Sequence, residues 1–592
     1  MASRQKIMKK GIMLGVISLG IIALSACSSE NTAEERVVSK TIYGENTTGD
    51  VIEVGNTNLL FKAGSKIPYI ELGEGVELLS YIRKERLKSD NYYYKMESSQ
   101  DGVTITNDRN AKCIINKSTQ KITYDDYDLF TSNITSDKDP LGVSDLDDNP
   151  KYIKLVTSNY EKGKEVTIDL SKYSSLDIYE KDNKYYLPLS VYNTLFYNKE
   201  ENMNLSYNQS DLYTIPPSGL VTSILGMPVI TELGEKYYKD GEKQELTADY
   251  YEYSYQSLCF DFDIGYGLKD KFTSFDAFLS EKGFKNDVKS TNIKTSDKAL
   301  SAALSHLVDG HTSFIDFSCF YEYGTGEIDE GKINTTKSNW MNDNENYIKK
   351  RNQARQEANV NLGLYYGSET AFVTFNEFTE VDDDLLYGTE VEDNALSNTG
   401  YLFKELYKDL TVGEYQDTVK NIVIDLSAND GGSSNGLIYA LSVLIGEVKM
   451  DVTNPLSGAH KSQTYKADMN ADGVIDENDV SLYDKGFNII FLDSKYTFSS
   501  ANAMAVYAKT NKPDIVTIGQ KTGGGPCAVR KVVSAYGSTY SKSSLTALTK
   551  KVNGNYVNID GGVEADYELT EDQMVSYRYI VDNISSWKSK VA

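Results

Sequence analysis

The sequence is poor in the residues from which many polar sites are built. Histidine occurs three times in 592 residues, as His306, His311 and His460, so any imidazole chemistry falls on one of three positions. Of the five cysteines, Cys113, Cys259, Cys319 and Cys527 have spacings that match no metal motif. One or two disulfides are permitted among them and none is required; buried free thiols serve equally well. Cations are also short, with 61 Lys and Arg against 86 Asp and Glu and a net charge of −25. That balance argues against a nucleic-acid partner, whose binding rests on clustered Lys and Arg. Otherwise the acidity speaks only to solubility.

The apolar run that opens the chain, Gly11 to about Ala23, is too short for a spanning helix. It comes after a basic stretch containing Arg4, Lys6, Lys9 and Lys10 and ends in Leu24-Ser25-Ala26-Cys27, the pattern of a cleavable signal peptide. The closing tetrapeptide resembles the bacterial lipobox. That resemblance implies lipidation of Cys27, and a protein held at the extracellular face of the cell membrane by its lipid anchor alone. Residues 28–50, polar and then acidic, are expected to form a tether. The rest of the chain is too long for one core, so two or three domains are expected.

Residues 51–214 read as short strands. Alternation recurs in Val103-Thr104-Ile105-Thr106 and in Tyr152-Ile153-Lys154-Leu155-Val156. Lys66 to Ile70 and Tyr185 to Leu189 echo each other, the second leading into a helix-like stretch from Val191 to Phe196. With no His and no catalytic cluster, this region is predicted to be a β-rich accessory domain. The paired prolines of Ile215-Pro216-Pro217-Ser218-Gly219 make a linker. Residues 215–592 change texture. Helical periodicity over Tyr250 to Asp263 and Ser296 to Val308 precedes buried strands alternating with helices. The strands are Thr370 to Phe375, Asn421 to Leu426, Asn488 to Leu492 and Ile515 to Gly519; the helices run from about Gly436 to Ile445 and from Ser500 to Lys509. This predicts an α/β domain with a mixed sheet and helices.

Four segments of the second half carry chemistry. Leu307-Val308-Asp309-Gly310-His311-Thr312 presents an imidazole just past a helix, where it could serve as a general base. His306, within that helix, reads as structural. Asn421 to Leu426 runs into Asp430-Gly431-Gly432, a turn whose N–H groups can approach a substrate oxygen closely. Thr497-Phe498-Ser499-Ser500-Ala501 places serine at a strand-to-helix turn, either as an exposed nucleophile or as an N-cap. Gly519-Gln520-Lys521-Thr522-Gly523-Gly524-Gly525 is a glycine turn after the next strand.

In this order the four segments resemble the tail-specific (C-terminal-processing) serine peptidases, over about Asp261 to Leu569. Processing members of that family use a Ser–Lys dyad with the Lys in the glycine turn; here Gly524 and Gly525 stand there and Lys521 precedes the Thr. The resemblance is therefore to the tricorn-like branch, which uses a His. It implies Ser499 as nucleophile (Ser500 if the alignment slips by one), His311 as base, and an oxyanion held by the N–H groups of Ser500 and of Gly431 or Gly432. Glu564, in a closing Gly-x-Glu-x-Asp, is the third member it suggests. Asn502 departs from the family's usual acid. The roughly fifty residues between Phe314 and Leu364 are too few for the family's PDZ module, so C-terminus-specific cleavage is not implied. The expected function is hydrolysis of peptides or proteins outside the cell. The alternative is an inactive peptidase fold serving as a surface binding or scaffold lipoprotein.

Residues 468–479 set Asp468, Asn470, Asp472, Asp476 and Asp479 at loop positions 1, 3, 5, 9 and 12, with Gly473 at the sharp turn and the Val474 carbonyl at position 7. The pattern resembles a dockerin-type EF-hand and predicts one structural calcium ion.

Overall fold

The computed structural model describes residues 34–46, 48–87, 94–131, 150–201, 203–224, 227–367, 369–388 and 395–587. The expected signal peptide and Cys27 lie outside the described residues. Among the described residues, no helix is long and apolar enough to cross a membrane.

The strands of the first half, Ile153–Glu161 apart, form two sheets. Tyr94–Ser99, Gly102–Asn107, Lys112–Asn116, Lys121–Tyr124 and Val166–Asp169 make an antiparallel five-stranded sheet. The other sheet has seven strands, in the order Tyr179–Lys181, Lys184–Pro188, Tyr69–Glu71, Val51–Phe61, Arg36–Glu45, Leu212–Ile215, Asn204–Tyr207. The two echoing segments are neighbours in it, with Pro188 opposite Tyr69. Residues 36–45, expected within the tether, are instead a strand of this sheet that pairs on both sides. The charges of the preceding stretch masked the alternation that begins at Val37.

The linker does not divide the core. One apolar cluster runs from Ile42 through Tyr213, Tyr250 and Phe262 to Tyr540. Ile153–Glu161, from the first half, pairs along its length with His460–Ala467. That pairing places it at the end of the sheet built on Val448–Thr453 and Thr539–Val552. Cys113, Cys259, Cys319 and Cys527 are buried free thiols.

The second half is α/β. Its six-stranded sheet has the order Gly363–Gly367, Thr370–Thr374, Asn421–Asp425, Asn488–Asp493, Val516–Gly519, Tyr567–Glu568, parallel except at the first pair. Both faces are covered, as an apolar parallel sheet requires. Ile422, Ile424 and Phe491 meet the helices Thr399–Thr411, Ser434–Ile445 and Ser500–Asn511 on one side. Val423, Ile490 and Ile518 meet Tyr347, Met574 and Ile580 on the other. The strand ends Asp425 and Asp493 therefore lead into adjacent loops at one edge, where parallel α/β sheets place their sites.

Beneath that edge lies a buried ion pair. Arg355 donates to Asp425 at 2.8 Å with both side chains fully buried, and Ser427 also donates to Asp425. Removing one partner of such a pair strands the other charge. Arg355→Ala should lower unfolding free energy by about 3–5 kcal/mol in urea titrations. Lys282→Ala, at an exposed pair with Glu281, should shift it by less than about 1 kcal/mol.

Candidate active site

Ser499 ends the loop after Asn488–Asp493 and immediately precedes the Ser500–Asn511 helix. Its backbone stands at φ 54°, ψ −121° and its side chain caps nothing. A non-glycine residue there is strained, at a cost of about 1–3 kcal/mol, and the twist turns the hydroxyl out of the helix axis. The loop is fixed by its neighbours. Thr497 Oγ1 donates to Leu426 O at 2.7 Å, Ser494 Oγ to Ser427 O at 2.5 Å, and Phe498 N–H to Asn429 O at 3.1 Å. The glycine turn adds Gly523 N–H to Thr497 O at 2.8 Å and accepts Ser499 N–H on Gly524 O at 2.9 Å.

The structure brings His311 to this serine, with Nε2 3.1 Å from Ser499 Oγ. The imidazole lies against the Phe498 ring, centroids 4.9 Å apart. Its turn is strained as well, since Val308, β-branched, sits at φ 49°. Asp309 holds the turn, accepting His311 N–H at 3.0 Å, Thr312 Oγ1 at 2.6 Å and Tyr266 OH at 3.0 Å. Burial lowers the His311 pKa below its ordinary value, with Lys337 adding to the effect and Asp309 and Asp560 opposing it. The imidazole is thus neutral at pH 7, as a general base requires.

Ser500 is engaged elsewhere: its hydroxyl donates to Gly432 O at 2.8 Å. Its N–H, at the first turn of a helix, has no acceptor among the described residues, and neither has the N–H of Gly432. Gly431 differs, because Asn429 Oδ1 takes its N–H at 3.0 Å. Gly431 instead supplies space: a Cβ there, at φ 112°, would stand 2.6 Å from Ser499 Cβ. The Ser500 N–H directly follows the serine, and a free N–H at that place suits a developing oxyanion.

Glu564 is not brought to the imidazole. It is exposed, and its carboxylate lies 2.6 Å from Lys521. That pair also takes Lys521 out of consideration as a base. No lysine could stand in the glycine turn, where Gly524 (φ 83°) meets Asp560 O and Gly525 (φ 84°) would put a Cβ 2.5 Å from the Phe498 ring. Asn502 is buried and tethers the turn, accepting from Thr522 Oγ1 at 2.7 Å and donating to Ile559 O at 3.0 Å. Among the described residues His311 Nδ1 is buried without a hydrogen-bond partner. The carboxylate missed from sequence is Asp560, which acts on His311 through space and accepts Gly525 N–H at 3.2 Å. The acid in the Asn558-Ile559-Asp560-Gly561-Gly562 turn was its only signal. The other histidines are structural: His306 Nε2 bonds Lys332 O, and His460 stacks on Tyr556.

Residues 369–569 match peptidase family S41. The matched span holds Gly431, Gly432, Ser499 and the glycine turn; His311 precedes it. No curated protein matches the chain. Among solved structures, a lipoprotein from Streptococcus agalactiae is 12% identical, covering 57% of this chain and 96% of its own, with a TM-score of 0.33. A putative peptidase from Parabacteroides merdae ATCC 43184 is 16% identical over 55% of this chain and 92% of its own, with a TM-score of 0.36. The photosystem II D1 C-terminal processing protease is 19% identical over 36% and 45%, with a TM-score of 0.25.

The 468–479 loop turns its carboxylates onto its own backbone. Asp468 accepts Gly473 N–H at 2.7 Å, and Asp479 accepts Met469 N–H at 2.6 Å. Asp472 accepts Val474 N–H at 2.9 Å, Asp476 accepts Asn478 N–H at 2.7 Å, and Asn470 Oδ1 accepts Asp472 N–H at 3.0 Å. Among the described residues no three acidic, His or Cys side chains gather closely enough to hold a metal ion.

The Phe498 slot gives a direct test. Gly525→Ala should destabilise the protein by more than about 1 kcal/mol in thermal or urea melts. Gly561→Ala, with open space at its Cβ, should stay within about 0.5 kcal/mol.

Proposed function

We propose that the protein is a serine peptidase that hydrolyses peptides or proteins by a Ser–His mechanism. The 3.1 Å approach of His311 Nε2 to an uncapped, strained Ser499 carries this reading. In the reaction Ser499 Oγ attacks the scissile carbonyl carbon while its proton passes to His311 Nε2. The carbonyl oxygen takes up the negative charge between the N–H groups of Ser500 and Gly432. His311 then gives the proton to the leaving amine as the C–N bond breaks. Water, deprotonated by the same nitrogen, releases the acyl group from Ser499. Asp309 and Asp560 stabilise the transient imidazolium through their charges, the part sequence suggested for Glu564.

The lipobox-like Leu24-Ser25-Ala26-Cys27 supports placement at the extracellular face of the cell membrane, anchored through Cys27. For residues 468–479 we propose one structural calcium ion, on the strength of the oxygen pattern, with no part in the reaction. Its ligands would be Asp468, Asn470, Asp472, Asp476, Asp479 and the Val474 carbonyl. Burial already raises the pKa of Asp468 and Asp479, which a cation would reverse.

Two measurements test these proposals. Fluorescent casein should be digested by the intact protein and by Ser500→Ala at comparable orders of magnitude. Ser499→Ala and His311→Ala should each lose about 10⁴-fold or more. Because the base works unprotonated and its pKa is lowered, the acid limb of kcat/KM should have its midpoint below 6.5, the ordinary imidazole value. A silent wild type, or full activity in Ser499→Ala, overturns the assignment. Separately, chelation should lower the melting temperature of the wild type and leave Asp468→Ala/Asp472→Ala unaffected; equal melting with and without chelator rejects the ion.

A further inference from the structure

The segment between Phe314 and Leu364, too short for a PDZ module, holds one long helix, Thr336–Glu357, and this helix bonds the turn of His311, the loop before Ser499 and the end of the Asn421–Asp425 strand. Near its start, Lys337 Nζ donates to Gly310 O at 2.6 Å, to Thr312 O at 3.3 Å and to Ser313 Oγ. All three ammonium protons are thereby used, and the acceptors bracket His311 on both sides. One turn on, on the same face, the Trp340 indole donates to Lys495 O at 3.0 Å. Its ring meets Tyr496 and Phe498 at 5.7 and 5.9 Å, so it holds the loop of Ser499. Further along, Tyr347 OH donates to Ser427 Oγ at 2.9 Å and Arg355 to Asp425 at 2.8 Å, at the end of the strand that leads to Gly432.

We propose that this helix is the positioning element of the site, and that Lys337 is the positioning residue for the base, setting where His311 stands relative to Ser499. The proposal rests on the Ser–His reading. Lys337 is a costly choice for stability alone: it is partly desolvated, as its lowered pKa reflects, and it bonds two carbonyls and a hydroxyl rather than a carboxylate. A methionine would fill the same volume without that penalty. What the ammonium adds is a three-point grip on the turn and a positive charge near the imidazole.

The charged and titratable groups that act on His311 are Asp309 from its own turn, Asp560 from the turn after Asn555–Asn558, and Lys337 from the helix. Ser499 Oγ faces Nε2. Removing the Lys337 charge leaves the two carboxylates, so protonation of His311 becomes easier and its pKa rises.

With only three histidines in the chain, His311 can be tracked directly by NMR of [¹³C]histidine-labelled full-length protein, its resonance assigned with His311→Asn. Lys337→Met should move the His311 titration midpoint upward while those of His306 and His460 stay put. Its kcat on casein peptides should fall by about 10²-fold, the scale of a small misplacement, with KM little changed. Lys337→Arg should keep the wild-type midpoint. Lys337→Gln, which keeps a donor without the charge, should raise the midpoint with a smaller loss of kcat, and it serves should Lys337→Met fail to fold. An unmoved midpoint in both neutral variants, or an unmoved kcat in Lys337→Met, overturns the proposal. If the wild type itself cleaves nothing, the peptidase reading fails while the midpoint still decides the role of Lys337.

Discussion

The site depends on a backbone constraint: Ser499 is held at positive φ with Gly431 in contact behind it and Gly524 paired beside it. Left alone, that conformation would relax at a gain of about 1–3 kcal/mol. It persists because loops from adjacent parallel strands and the glycine turn bind the residues just before it, and because Phe498 is wedged between Gly310 and Gly525. The same wedge carries the imidazole. Ser499 and His311 therefore share one neighbour, the Phe498 ring, and a side chain at either glycine would meet that ring.

Electrostatics results from the burial this packing creates. His311 is kept neutral mainly by loss of water, with a lysine and two carboxylates acting in opposite directions. Asp425, at the end of the strand that leads to the diglycine turn, is paired with Arg355. Lys337 and Arg355 both come from the Thr336–Glu357 helix, which bonds both the turn of His311 and the end of the Asn421–Asp425 strand.

Sequence made much of the second half legible, because buried parallel strands are short apolar runs and their glycine turns stand out. Strands over Asn421–Asp425 and Asn488–Asp493 and the helix at Ser500 were readable for that reason. Pairing was not. Ile153–Glu161 reads as a strand, but alternation says nothing of its partner, and its union with His460–Ala467 ties a region expected to be separate into the second half. Residues 36–45 were hidden behind charge. At the site, motif order singled out Ser499 and His311 but left Ser499 and Ser500 as alternatives; in space the 3.1 Å approach of His311 to Ser499 and the hydrogen bond of Ser500 to Gly432 O distinguish them. Capture of the Gly431 N–H by Asn429, and the turn that carries Asp560 toward His311 while Glu564 faces Lys521, depend on loop geometry that spacing does not encode.

In the proposed mechanism Ser499, activated by His311, is the one nucleophile. The most direct test is to treat the intact protein with diisopropyl fluorophosphate and map the adduct by peptide mass spectrometry. A single phosphoryl group is expected on Ser499, at one per chain, absent when His311 is replaced by alanine. An adduct on Ser500, or none under conditions that label other serine hydrolases, would contradict it.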